Sequence, residues 1–572
     1  MKKKNLLFLL PIFATLLNSC GITTGEKIDY SRTQLYVSNF NGGYGDQWLK
    51  NLKIKFESRH SETSFEEGKK GVQVIIDNNQ TQGNYLLSNV SGSNNNVFFA
   101  ESVFYYEYVN AGVMADLTEL VKTDLTPYGD TGTIFDKFSD YQKEYYTTSD
   151  GKIYSIPHYE GFYGLTYDLK LWRDKKLYIA ADPEKAGQKV NAMYDGDEIA
   201  LCRNANQAKS NGPDGVAGTY DDGFPATYQE LADLMFIMAK KGITPFTWTG
   251  KYQKEYNSKL LAALLVDYEG YDHTRLHMDF SGTATKLISG FDSNGEPVFA
   301  APTTIDNRTG YKMMTSAGYY YAYKFFEQIV SNSKYYSDRC FTGTEDHLAA
   351  QQTYLLSYPE EALGSNPIAI LPEGNYWENE AYKTGTFDYA ATYGDEFNRE
   401  NREIAMMPMP KATEAEVGST NTLLGMLASS CFINANCDEL HMKLAKDFVL
   451  MANTNESLAD FNLTTNAPKQ IRYTLTEEQY NSLNMFGKSV YDLVQNGVIV
   501  QEISTNPIFA NNAMTLTLGN TFNTTIGSST YNNPVKEMCP KQTTKYLTAQ
   551  KLFEGMDNYW TSGRWSDYSK WF

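Results

Sequence analysis

Residues 153–168 read IYSIPHYEGFYGLTYD, and this stretch decides how the chain is organised. Two short extended runs flank Tyr159-Glu160-Gly161-Phe162-Tyr163, and Pro157 disfavours a helix between them. A segment of this kind carries the chain out of one lobe and into another. The length agrees, since 572 residues exceed the usual size of a single core and two or more lobes are expected.

Upstream of this crossover, Gln34 to Asn39 reads as a short strand with Leu35 and Val37 on one face. The turn Asn41-Gly42-Gly43-Tyr44-Gly45 opens a helix in which Asp46 is the expected N-cap and Trp48, Leu49, Leu52 and Phe56 the apolar stripe. Val72, Val74 and Ile76 alternate as a second strand. Val97-Phe98-Phe99 forms a third and runs into Glu101 and an aromatic helix from Phe104 to Val109, which Gly112 stops. Val113 to Leu117 is expected to begin another short helix. This order reads as α/β with a mostly parallel sheet. Downstream, a loop-rich insertion occupies roughly 185–224, and Thr227-Tyr228-Gln229-Glu230 is a capping box opening a helix faced by Leu231, Leu234, Met235 and Met238. Gly242 ends it and Ile243 to Trp248 returns as a strand. Helices are expected near 310–330 and 345–357, a buried strand at Pro367 to Leu371, and a last helical face at Leu440, Leu444, Phe448 and Met451.

The net charge of −18 argues against nucleic acid and anionic membrane surfaces as partners, because an acidic chain repels both. Forty-three tyrosines and seven tryptophans accompany a mean hydropathy of −0.46. Tyr and Trp combine an apolar ring with a polar handle, a chemistry suited to hydroxylated ligands with C–H faces. There is no G-x-S-x-G elbow and no P-loop. Outside Cys20 the cysteines are Cys202, Cys340, Cys431, Cys437 and Cys539, an odd set in which Cys431 and Cys437 are close enough in sequence to pair.

The N-terminus reads as an export signal: Lys2, Lys3 and Lys4, then an apolar run from Leu6 to Leu17 that is too short to span a bilayer. Leu17-Asn18-Ser19-Cys20-Gly21 resembles the lipobox of bacterial lipoproteins, which implies cleavage before Cys20 and lipid on its thiol. Removing residues 1–19 takes away three lysines and no acid, moving the net charge from −18 to −21. Residues 20–33 follow as a tether.

Five segments, in order, resemble the extracellular solute-binding proteins of family 1, the carbohydrate-binding relatives of maltose-binding protein. Asn41 to Trp48 is similar to the family's first strand-to-helix turn, and Val97 to Leu120 to its third strand, the following helix, the "AG" and a D-L helix. Lys152 to Asp168 resembles its G-K-x-Y-x-I-P crossover, with Asp168 where Asn is common. Ile368 to Ala381 resembles its E-G, W-W-E-N-E-A segment, with Tyr376 in place of the first Trp, and Ile404 to Lys411 its I-M-P-x-P strand. The last hundred residues match less clearly.

The resemblance implies a two-lobe, periplasmic-binding-protein-like (type II) clamp with discontinuous lobes. Lobe 1 would comprise 34–157 plus 418–463, and lobe 2 158–417 plus 464–572. It implies a monomeric, lipid-anchored, non-enzymatic protein at the cell surface or the outer face of the cytoplasmic membrane. Such a protein captures a carbohydrate between its lobes by hinge closure and delivers it to an ABC permease. A surface glycoside hydrolase or lyase, needing a carboxylate pair about 5–10 Å apart, is the rival from another class. A peptide- or polyamine-binding lipoprotein, which would need several acids converging in the cleft with few aromatic platforms, is the rival on the same scaffold.

Ligands in α/β sheets meet the carboxyl ends of strands, which selects Asn41, Tyr44 and Asp46 in the first turn and Glu101 after the third strand. For Glu101, hydroxyl binding competes with a plain match to a helix dipole. At the crossover, Tyr159, Glu160 and Tyr163 are candidates, with Glu160 the best placed. Trp248 ends a strand, where a platform and a core residue are equally expected. Glu373, Tyr376 and Trp377 form the last group, where the family places aromatic ligand contacts. Gly212 to Gly223 carries Asp214, Asp221 and Asp222 on glycine-rich turns, an oxygen-rich set that lacks EF-hand spacing and reads either as a solvated turn or as a site for a structural Ca2+. His273 and His277 share a helical face, but without an H-E-x-x-H glutamate or an evident third ligand the pattern does not specify zinc.

Overall fold

The computed structural model describes residues 27–181, 189–191, 198–204, 206–359 and 364–570. Residues 1–19, expected to be an export signal, the expected lipidation site Cys20, the first half of the expected tether and part of the 185–224 insertion lie outside the described residues.

The first lobe is a five-stranded sheet. β1 (Thr33–Asn39) lies second from one edge and pairs in parallel with β2 (Val72–Asp77) on one side and the central β3 (Val97–Ala100) on the other. Strand Ser430–Ile433, from far along the chain, then adds antiparallel to β3 and to the short β4 (Ile156–Pro157). β1 is buried on both faces at Leu35, Val37, Ser38 and Asn39. Helix Gln47–Arg59 covers one face through Trp48, Leu49, Leu52 and Phe56, the stripe its spacing dictates.

The second lobe is built on a four-stranded mixed sheet in the order Ile404–Met407, β5 (Tyr163–Asp168), Ile368–Gly374, Thr244–Phe246. β5 runs antiparallel to both neighbours, and Ile368–Gly374 runs parallel to Thr244–Phe246. Helices Tyr228–Lys240, Gln253–Glu269 and Ala317–Val330 and the C-terminal segments pack one face into a large aromatic core. The other face is closed by Trp377, Phe387, Phe486 and Val490. Asp168, the last residue of β5, caps helix Leu169–Asp174 through the Leu171 N–H at 2.9 Å and pairs with the fully buried Arg402 at 2.6 Å. All five cysteines among the described residues are free thiols.

The two cores shift the expected lobe boundaries. Leu424 packs with the second core, because Thr422–Gly425 pairs in parallel with Val498–Gln501. Ala467, Ile471 and Tyr473 pack with the first. The return crossing to lobe 1 therefore follows Gly425 rather than residue 418, and the chain leaves that lobe after Tyr473 rather than residue 463. Three local expectations also change. The Asp46 side chain does not cap its helix; it accepts from Asn78 Nδ2 at 2.7 Å and meets Lys50 at 2.9 Å. Val113 to Leu117 is not helical: Met114 bridges Asn434, the Ala115 N–H donates to the Ile433 carbonyl, and the helix begins at Thr118. The Thr227 hydroxyl accepts from the Glu230 N–H at 3.2 Å, but the Glu230 carboxylate accepts from Ala226 instead of closing the box.

Candidate functional site

The lobes meet where the first turn of lobe 1 reaches the crossover and the end of strand Ile368–Gly374. Tyr44 is the link. Its ring is 6% exposed, and its hydroxyl donates to the Glu160 carbonyl at 3.0 Å, with Asn375 Oδ1 as a second acceptor at 3.1 Å. It stands edge-on to Tyr159 at 4.8 Å and to Tyr376 at 6.3 Å. The turn approaches so closely that a Cβ on Gly43 would lie 2.6 Å from the Tyr376 Cβ, which is why a glycine precedes the tyrosine. Lys383 Nζ donates to the Gly42 carbonyl at 2.7 Å across the same seam. Tyr44 thus sits in a buried seam, while Asn41 is exposed at the rim and Asp46 is held by Asn78 and Lys50.

Four glutamates approach this seam. Glu101 Oε1 accepts from the Tyr159 hydroxyl at 2.5 Å and Oε2 from Gln82 Nε2 at 3.0 Å. Burial raises its carboxyl to about 7. Glu160 is 1% exposed; its Oε1 accepts from the Gly161 N–H and its Oε2 from Gln501 Nε2, both at 3.1 Å, and burial again raises it to about 7. Glu373 Oε1 accepts from the Tyr163 hydroxyl and from the Gly374 N–H at 2.9 Å each. Burial, with Glu380 nearby, pushes it up to about 8. Glu380 accepts from Gln351 Nε2 at 2.7 Å. Glu160 also lines a cavity of about 100 Å³ with Ser102, Gln470, Glu502 and Thr517, groups from both lobes and from the crossings between them.

The rings continue outward on lobe 2. Tyr163 meets Tyr256 at 5.9 Å, Tyr256 stacks on Tyr252 at 6.5 Å with planes 25° apart, and His347 lies 5.9 Å from Tyr256. Lys259 Nζ stands over the Tyr163 and Tyr256 rings at 5.5 and 5.2 Å. Tyr252, Tyr256, Lys259, His347 and Glu380 were not selected from the sequence. A signal was present: Tyr252 and Tyr256, four residues apart, open the helix that follows strand Thr244–Phe246, at a strand's carboxyl end.

Two expected contacts belong to the core instead. Trp248, 1% exposed, packs on Tyr336, Phe341 and Phe326 at 5.7–6.3 Å, since the chain beyond Thr244–Phe246 turns under the 335–341 segment. Trp377 is fully buried. Its Nε1 donates to Thr166 Oγ1 at 3.0 Å, and its ring meets Tyr354 and Phe486, because the first turn of helix Trp377–Lys383 faces the sheet. Tyr376, one residue earlier, is the ring that faces the seam.

The 212–223 loop is tied to itself. Asp221 accepts from Thr219 Oγ1 at 2.7 Å and from the Asp214 N–H at 3.1 Å, Asp214 from the Val216 N–H, and Asp222 from the Gly218 N–H. Among the described residues the one cluster of three metal-donor side chains is elsewhere, at Glu269, His273 and His277. There His273 Nε2 accepts from the Thr285 and Lys286 N–H groups, so Nδ1 carries the proton, and that proton faces the Glu269 carboxylate. The third group absent from the sequence pattern is therefore an acceptor for His273, an arrangement that opposes shared metal ligation.

No protein-family model matches the chain, and no curated protein matches its sequence. Solved structures do match it at 14% identity. A chitin oligosaccharide binding protein is matched over 94% of this chain and all of its own, with a TM-score of 0.51. A protein described in work on xylan utilization by the thermophilic bacterium Caldanaerobius polysaccharolyticus is matched over 92% of this chain and 99% of its own, also at 0.51. With its two principal sheets, interleaved lobes and ring-lined seam, the chain has the two-lobe fold of the periplasmic-type solute-binding proteins.

Proposed function

We propose that this protein captures a carbohydrate, of oligosaccharide length, between its two lobes and passes it to an ABC permease. The observation that carries the reading is the seam itself, where tyrosine rings from both lobes surround hydrogen-bonded glutamates. Rings offer flat surfaces to pyranose C–H faces, and carboxylates accept from hydroxyls, each such bond contributing about 1.5–3 kcal/mol. The work is capture, closure and release, with no covalent step, so the glutamates act as acceptors and not as an acid–base pair. Lipid on Cys20 would hold the protein at the outer face of the membrane, a reading that rests on the lipobox-like Leu17–Gly21. No helix among the described residues is long and apolar enough to cross a membrane.

The test is thermal unfolding against a panel of mono- and oligosaccharides, peptides and polyamines. A ligand at about 100 times its dissociation constant stabilises the fold by about 2.7 kcal/mol. A shift with a glycan that is recovered intact after hours supports capture. Consumption of the glycan overturns it in favour of a hydrolase or lyase, and a shift with peptides alone replaces the ligand class.

A further inference from the structure

Several buried carboxylates elsewhere in this protein are matched by cations, although Asp221 relies on hydrogen bonds from Thr219 and the Asp214 N–H. Asp168 meets Arg402 at 2.6 Å, Glu378 meets Arg399 at 2.6 Å, and Glu345 meets Arg339 at 3.4 Å. Such matching is expected, because an ionised carboxylate removed from water without a counter-charge is costly. The seam departs from this pattern. Among the described residues none of Glu101, Glu160, Glu373, Glu380 and Glu502 forms an ion pair. Lys259, the cation whose field reaches Glu101 and Glu373, meets Glu255 at 3.8 Å instead.

A second observation lies beside these acids. The Gln351 side chain is fully buried and donates through Nε2 to Glu380, yet its own Oε1 has no donor. A buried acceptor without a donor in the chain is open to an N–H or O–H from a ligand or from water. The walls, meanwhile, are the rings of Tyr163, Tyr256, Tyr252 and Tyr376, and a ring face attracts a cation as well as a C–H surface. Several converging acids point to an amine, and stacked rings point to a pyranose. Here the two features occupy the same seam.

We propose that the ligand is an amino sugar, an oligosaccharide of the glucosamine type, whose ammonium groups pair with Glu101, Glu373 and Glu380 while its rings stack on the tyrosines. The inference rests on the carbohydrate reading above and narrows it. A neutral glycan offers these carboxyls no counter-charge and leaves Glu373 in the protonated form that burial imposes, whereas an ammonium lets it ionise and pair. A linear polyamine would leave the ring platforms without a flat partner.

The experiment is calorimetric titration of the purified protein with glucosamine oligomers in β-1,4 and β-1,6 linkage, with their N-acetylated counterparts, with maltotetraose and with spermine. The expected result is binding of a glucosamine oligomer at least about tenfold tighter than its N-acetylated counterpart, which has the same linkage but no charge. That preference should fall to near parity in Glu101→Gln combined with Glu373→Gln. Each substitution keeps one acceptor oxygen, enough for the Tyr159 hydroxyl at position 101 and for the Tyr163 hydroxyl and Gly374 N–H at position 373, while the Gln82 bond to Glu101 is lost; unfolding curves check that the variant is folded. Equal or tighter binding of an N-acetylated oligomer or maltotetraose overturns the amino-sugar inference and leaves the carbohydrate reading standing. Binding of spermine alone, or of no glycan, overturns both. A preference unchanged in the double variant refutes the assignment of the carboxylates.

Discussion

The buried carboxyl of Glu373 makes stability depend on pH in a direction opposite to that of a salt-bridged acid. Its pKa is raised from 4.5 to about 8, by burial first and by Glu380 second, against smaller lowering effects from the Gly374 N–H, the Tyr163 hydroxyl and Lys259. A carboxyl that folding keeps protonated contributes stability that is complete below about 4.5 and is lost as the pH rises through about 8. Over that window the unfolded chain has released the proton and the folded chain has not. Each pH unit then costs about 1.4 kcal/mol, and between about pH 5 and pH 7.5 Glu373 alone removes about 3 kcal/mol. Glu373→Gln abolishes the titration while its Oε1 still accepts from the Tyr163 hydroxyl and the Gly374 N–H, the two bonds the glutamate oxygen makes. The assay is urea unfolding of both proteins at the two pH values without ligand, read by tryptophan fluorescence, since Trp248 and Trp377 are buried in the same lobe. The native protein should lose about 3 kcal/mol more than the variant across the interval. Parallel losses, equal within about 0.5 kcal/mol, would mean that the carboxyl is already ionised in the folded state and would refute the reasoning.

Tyr252→Ala should leave stability within about 0.5 kcal/mol, because the ring is 37% exposed, yet weaken glycan binding several-fold by removing the outer platform; titration calorimetry separates the two. Trp377→Phe should act in the opposite way, lowering the unfolding midpoint by emptying packed space beside Tyr354 and Phe486 while changing affinity little. Arg402→Met strands the Asp168 carboxylate in the core and should cost about 3–5 kcal/mol in urea unfolding. Tyr44→Phe removes the hydroxyl that reaches Glu160 and Asn375, and scattering in solution should show the unliganded protein shifted toward an open, more extended form.

Much of the architecture was legible because it is local. The stripe of Trp48, Leu49, Leu52 and Phe56 is a helix face at any position in a fold, and it is the buried face here. Pro157 and the paired extended runs at 153–168 marked the passage between lobes, and β4 and β5 occupy those runs. The alternation or continuity of apolar residues fixes an element's type because burial requires it within a few residues. Glu101, Tyr159, Glu160, Tyr163 and Glu373 could be picked out for a related reason: they end strands or sit in the crossover, where chain direction already limits the side chain's destination.

What the sequence left open depends on partners remote along the chain. Tyr376 and Trp377 are adjacent, and either could have faced the ligand. Helix packing against Thr166, Tyr354 and Phe486 turned the tryptophan to the core and left the tyrosine at the seam. Trp248 was settled in the same way by Tyr336 and Phe341. The lobe boundaries moved because Leu424 found Val500 through a strand pairing, and Tyr473 found the first core, neither encoded near those residues. The cation-free carboxyls of the seam are of the same kind. A count of acids and bases gives the sum, but only tertiary structure decides which carboxylates leave water together and which of them meet an arginine there.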